Sequence, residues 1–119
     1  MQPRTPKLLE DIRDAAAFIA DATRDVAEVD YPRNRMLRQS VEGNFEIIGE
    51  AMRRVAQHDP ATAQSISGYT QIIAFRNILI HGYDQLDDRI VWSVVQRDVP
   101  LLLAEVVALL AQADDAQVE

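Results

Sequence analysis

Apolar residues recur every three or four positions along most of this chain, and the recurrence breaks where Pro, Gly or paired Asp residues gather. In the first stretch Leu8, Ile12, Ala15, Ile19, Ala22 and Val26 form one stripe. That stripe predicts an amphipathic helix over about residues 5–28, with Thr5 as its N-cap and Pro6 at its first helical position. After Asp30–Tyr31–Pro32 the spacing resumes through Leu37, Val41, Phe45, Ile48, Met52 and Val55, with Ile47 widening the face. A second helix over about 33–57 follows, closed by His58–Asp59–Pro60 because the residue before a proline is pushed out of the helical region.

Residues 61–68 read as a connector with room for one helical turn. A third helix starts near Tyr69, carries Ile72, Ile73, Phe75, Leu79 and Ile80, and stops or bends at Gly82, which suits a left-handed cap. The runs IIAF and ILI are strand-like, but a lone strand among helices would have no partner. Asp87 can cap a fourth helix whose stripe is Val91, Val95, Val99, Leu102, Val106 and Leu109, with Pro100 expected to kink or split it. Amphipathic segments joined by short connections predict an all-α antiparallel bundle of four to five helices in one domain. Its core covers about residues 5–112, and residues 113–119 form an acidic tail expected to fray. Broad apolar faces leave surface for a second copy, so a homodimer is expected.

Composition narrows the chemistry. The chain has no cysteine, which removes disulfides, thiolate metal sites and a Cys nucleophile. No apolar run reaches the roughly 20 residues of a membrane span, and the N-terminus lacks the apolar core of a secretory signal. A cytoplasmic location is the expectation. The net charge of −7 opposes passive attraction to nucleic acid, but it is uneven. Residues 31–54 carry five Arg against three Glu, so a polyanion site would be sought around Arg33, Arg35, Arg38, Arg53 and Arg54. The same arginines could equally be a solvated helix face. Glu10, Asp11 and Asp14 lack a convergent third ligand and do not read as a metal site.

The stretch from Phe75 to Tyr83 breaks an apolar helix with Arg76, Asn77, His81 and Tyr83. Such groups beside core residues are unfavourable unless paired or facing a cleft or interface. Asn77 and His81 share a helix face, whereas Arg76 and His81 diverge by about 140° on an ideal helix. A bend at Gly82, the reach of the Arg side chain, or a second copy across a two-fold axis could bring them together. A cleft so formed suits RNA phosphodiester cleavage: His81 moves a proton, Arg76 holds the phosphate and the RNA 2′-OH attacks. A structural hydrogen-bond set at a helix end would use the same residues.

Arg76, a polar residue, three apolar residues and His81–Gly82–Tyr83 resemble the R-X4-H-X-Y motif of the HepT-like family within the HEPN superfamily. Ile47–Ile48–Gly49–Glu50–Ala51 resembles the family's second-helix segment, and Ile90–Val91–Trp92 with Asp98–Val99–Pro100 resembles the start of its last helix. The likeness spans about residues 8–110. It implies a HEPN-type bundle forming a homodimer with both motifs at the interface, and a metal-independent toxin ribonuclease with Arg76, His81 and Asn77 catalytic. It also implies a minimal nucleotidyltransferase antitoxin that neutralises the toxin by transferring AMP from ATP to Tyr83. ATP and Mg would serve that antitoxin, and this chain would need no cofactor of its own. The other function class is a non-enzymatic subunit that binds nucleotide or presents substrate to the nucleotidyltransferase. Glu50 is either a partner of Arg76 or His81 or a solvated glutamate. Trp92, Tyr31 and Tyr69 read as packing residues, and His58 as a helix C-terminal residue favoured by the dipole.

Overall fold

A computed structural model describes residues 1–82 and 86–118. Among these there is no strand, and the order is α1 (Thr5–Thr23), a 3-10 turn (Tyr31–Arg33), α2 (Arg35–His58), α3 (Pro60–Gln64), α4 (Tyr69–His81) and α5 (Asp88–Val118). The chain is an all-α bundle.

α1, α2 and α5 make the core. Leu9, Ile12 and Ile19 of α1 meet Val41, Ile48, Met52 and Val55 of α2 and Val91, Val99 and Val106 of α5, all fully or almost fully buried. The stripe of α1 is turned slightly from the expected one: Leu9 and Ala16 are buried, while Leu8 is only half-buried. The helix also ends at Thr23 rather than near residue 28. There the Thr23 hydroxyl donates to the Ile19 carbonyl at 2.7 Å, and the chain leaves in turns. Val26 still packs on the core, so the apolar period outlasts the helix.

The caps follow side-chain chemistry. Asn34 accepts from the Leu37 amide at 3.0 Å and starts α2. Thr5 is not the N-cap of α1; it is the first helical residue, with Arg4 before it making no side-chain cap. The Thr5 hydroxyl instead donates to Asp59 at 2.9 Å. Asp59 is 6% exposed and also accepts from the Gln2 amide and from the Thr62 hydroxyl and amide. Burial works to raise its pKa, but these hydrogen bonds win and hold the carboxyl at about 2. This knot ties the start of α1 to the α2–α3 corner.

Two other expectations change. Gly82 ends α4 with φ −123°, not in the left-handed region; the left-handed glycine is Gly68, φ 67°, which opens α4. Pro100 does not split the last helix, which runs 31 residues from Asp88 to Val118. Pro100 and Gln96, whose carbonyl the proline leaves without a donor, both lie on the exposed side of the helix. Trp92 is core, its ring 5.4 Å from that of Tyr31.

α4 differs from the other long helices. It packs on α2, with Phe75 edge-on to Phe45 at 5.1 Å, and Leu79 is its one buried residue. Between α4 and α5 lies an apolar groove of about 430 Å³, lined by Phe45, Ile48, Ile72, Phe75, Val99 and Leu102.

Candidate active site

The position of Arg76 is decided by a missing side chain. α4 crosses α2 over Gly49, where an added Cβ would overlap the Arg76 Cβ and lie 2.6 Å from its Cγ. Only glycine admits the Arg76 stem at this crossing. The guanidinium then reaches Glu50, with Nη2 at 3.5 Å from Oε2, while Nη1 donates to Asn77 at 3.4 Å. Its Nε is buried with no partner among the described residues, and the side chain is 26% exposed.

Glu50 gathers three arginines. Arg53 donates to both its oxygens at 2.8 and 3.1 Å, and Arg54 donates to Oε1 at 3.1 Å. These bonds, from Arg53 first and then Arg54, hold the carboxyl down at about 2, although partial burial works the other way. Arg76 is the looser third cation. Glu50 is thus ionised and paired, in contact with Arg76 rather than loose in solvent.

His81 lies on the opposite, exposed side of α4 together with Ala74 and Ile78, and Asn77, also exposed, sits between that side and Arg76. Because α4 continues unbroken to His81, a bend at Gly82 comes too late to turn His81 toward Arg76. The angular divergence read from the sequence therefore stands within one chain. The catalytic assignments to Arg76, Asn77 and His81 gain no contact between Arg76 and His81 here. Tyr83, the expected AMP acceptor, lies outside the described residues. Among those described, no group of three His, Cys, Asp or Glu could hold a metal. No helix among them is long and apolar enough to cross a membrane.

Gly49 was not assigned a role from sequence, and Arg53 and Arg54 were read as a candidate polyanion site or a solvated helix face, not as partners of Glu50. A glycine inside an otherwise regular helix is the signal that could have pointed to the crossing. The clasp on Glu50 follows ordinary i,i+3 and i,i+4 spacing.

With this geometry in view, the comparison with known proteins is decisive: residues 12–109 match the family model for the ribonuclease HepT-like family. The chain belongs to the ribonuclease HepT-like family. It is 33% identical over 98 residues to a candidate RNase of Methanocaldococcus jannaschii, covering 82% of this chain and 89% of that protein. It is 31% identical over 94 residues to a protein of Thermococcus cleftensis named probable ribonuclease HepT, covering 79% and 84%. A further candidate RNase, from Caldanaerobacter subterraneus, is 25% identical over 108 residues, covering 90% and 96%. No solved structure matches significantly. Two of the segments that carry the HepT-like resemblance, α2 around Gly49 and α4 from Arg76 to His81, cross at the site, while the third lies in α5.

Proposed function

We propose that this chain is a toxin ribonuclease whose active site is assembled by two copies. The observation that carries this reading is the split character of α4. Arg76 is held against α2, while Asn77 and His81 sit on an exposed face beside Ile78, 54% exposed, and Ile80, 37% exposed. Apolar residues beside functional polar groups on an uncovered helix face suit a two-fold contact that brings the second copy's His81 toward this Arg76.

In such a cleft the 2′-OH of RNA attacks the adjacent phosphorus, and the bond to the 5′ oxygen of the next nucleotide breaks. The products are a 2′,3′-cyclic phosphate and a free 5′-OH. The 2′-OH loses a proton and the leaving oxygen gains one; an imidazole such as His81 serves one of these transfers. Arg76 stabilises the negative charge growing on the phosphoryl oxygens, and Asn77 donates to the same oxygens. This chemistry asks for no metal or cofactor of this chain. The antitoxin is a minimal nucleotidyltransferase in the same cytoplasm. It transfers AMP to the Tyr83 oxygen as pyrophosphate leaves ATP, and the added phosphate blocks the site by bulk and charge.

The test is cleavage of labelled RNA in EDTA by protein made without the antitoxin. Wild type should cut, and His81→Ala and Arg76→Ala should lose at least about a hundredfold. Equal cleavage by wild type and both variants would reject the site. Silence of unmodified wild type would replace the enzyme with a nucleotide-binding or substrate-presenting subunit. AMP transfer is read by mass, with Tyr83→Phe expected to abolish the gain.

A further inference from the structure

The basic groups that sequence places together are separated by the fold, and others are brought in. Arg33 closes the 3-10 turn before α2, Arg35 and Arg38 lie at the start of α2, and Arg53 and Arg54 lie near its end, about 25 Å away along the axis. The antiparallel packing of α1 and α2 sets Arg4 and Lys7 beside Arg53, Arg54 and His58 around a depression of about 490 Å³. A second depression of about 390 Å³, which includes Glu50 and Arg76, shares Leu8 and Arg54 with the first. The two form one strip that ends at Arg76.

In a chain of net charge −7, this strip holds five of the 12 Lys and Arg residues: Arg4, Lys7, Arg53, Arg54 and Arg76. Three carboxylates line it, Asp11, Glu46 and Glu50, leaving it at +2. Lys7 pairs with Asp11, yet its side chain is 75% exposed, and Arg53 and Arg54 are 47% and 56% exposed. Those ion pairs leave donors directed at solvent.

Helix stability does not account for the strip. Arg53, Arg54 and His58 suit the C-terminal end of α2, but Arg4 and Lys7 sit at the N-terminal end of α1, where the helix dipole disfavours cations. That first turn has no acidic residue, and its cap position holds Arg4 in place of a capping side chain. Cations at the unfavourable end of one helix, facing cations at the favourable end of its neighbour, suit an external polyanion.

We infer that Arg4, Lys7, Arg53 and Arg54 form a binding track for the phosphate backbone of single-stranded RNA, leading the strand to Arg76. The inference rests on the ribonuclease reading, and it adds which surface outside the motif holds the substrate. Contacts of this kind neutralise phosphates and release counterions, so they set the salt dependence of binding rather than sequence preference.

The experiment titrates labelled polyuridine into three proteins at several salt concentrations: His81→Ala, His81→Ala with Arg4→Gln and Lys7→Gln, and His81→Ala with Arg33→Gln and Arg35→Gln. Arg4 and Lys7 are used because Arg53 and Arg54 also hold Glu50. Loss of the two contacts should lower the slope of log affinity against log salt by about 1.4, at roughly 0.7 per phosphate. The Arg33, Arg35 protein should keep the parent slope. Equal losses in both charge-matched proteins would reduce the effect to net charge and overturn the track. An unchanged slope in the Arg4, Lys7 protein, with wild type still cleaving RNA, overturns the track and leaves the ribonuclease standing. No polyuridine binding at low salt together with no cleavage by wild type overturns both.

Discussion

α1 and α4 are both short of 20 residues and both carry regularly spaced apolar residues, yet they meet opposite fates. α1 buries seven of its 19 residues against two helices, whereas α4 buries one of 13 against one. The difference lies in how the apolar residues are distributed. In α1 most of them form a stripe with Asp, Glu and Arg opposite, so one contact face takes up nearly all of them and leaves Phe18 exposed. In α4 they surround the helix: Phe75 and Leu79 face α2, Ile72 and Phe75 line the groove toward α5, and Ile78 and Ile80 face out. A helix apolar on most sides but packed on one leaves apolar surface uncovered, and here it is the helix that carries the motif.

The contrast is sharpest for stability. Met52→Ala or Ile12→Ala, both at fully buried positions, should lower unfolding free energy by about 2–5 kcal/mol in urea titrations. Next in size is the crossing itself: Gly49→Ala forces a methyl into the Arg76 stem, costs about 1–3 kcal/mol and lowers RNA cleavage. A milder loss than that at the core with cleavage retained would show that α4 can shift without harming the site.

The Asp59 knot gives a smaller, pH-dependent effect. Its folded pKa of about 2 lies below the unfolded value of about 3.9, so its contribution is complete above pH ~4 and lost as pH falls toward 2. It amounts to about 1–2 kcal/mol, and Asp59→Asn should flatten that part of the acid-unfolding profile. Smallest of all is Ile78→Ser, which should change monomer stability by about 0.5 kcal/mol or less while weakening self-association in sedimentation. A large stability loss without altered association would mean that this face completes the fold of one chain.

The same distinction explains what could be read from sequence. The stripes of α2 and α5 were legible because a buried face imposes a period, and the end of α2 at His58–Asp59–Pro60 because a proline restricts the residue before it; the side-chain caps at Asn34 and Asp59 were not read. The end of α1 at Thr23 was not readable from period, since Val26 stays in the core after the helix has ended. The unbroken passage through Pro100 depends on which side of α5 faces water. At the site, the motif residues were visible as polar interruptions of an apolar helix. The Gly49 crossing and the Arg4–Arg54 strip were not, because both depend on which helices touch.

The central claim is that Arg76 of one copy works with His81 of another. It is tested most directly by mixing Arg76→Ala and His81→Ala proteins, each inactive alone, and allowing subunits to exchange. Mixed dimers contain one site with both groups intact, so about a quarter of wild-type cleavage should return. A mixture that stays as silent as its components, under conditions where mixed dimers are shown to form and wild type cleaves RNA, would contradict the shared site and return both groups to a single chain.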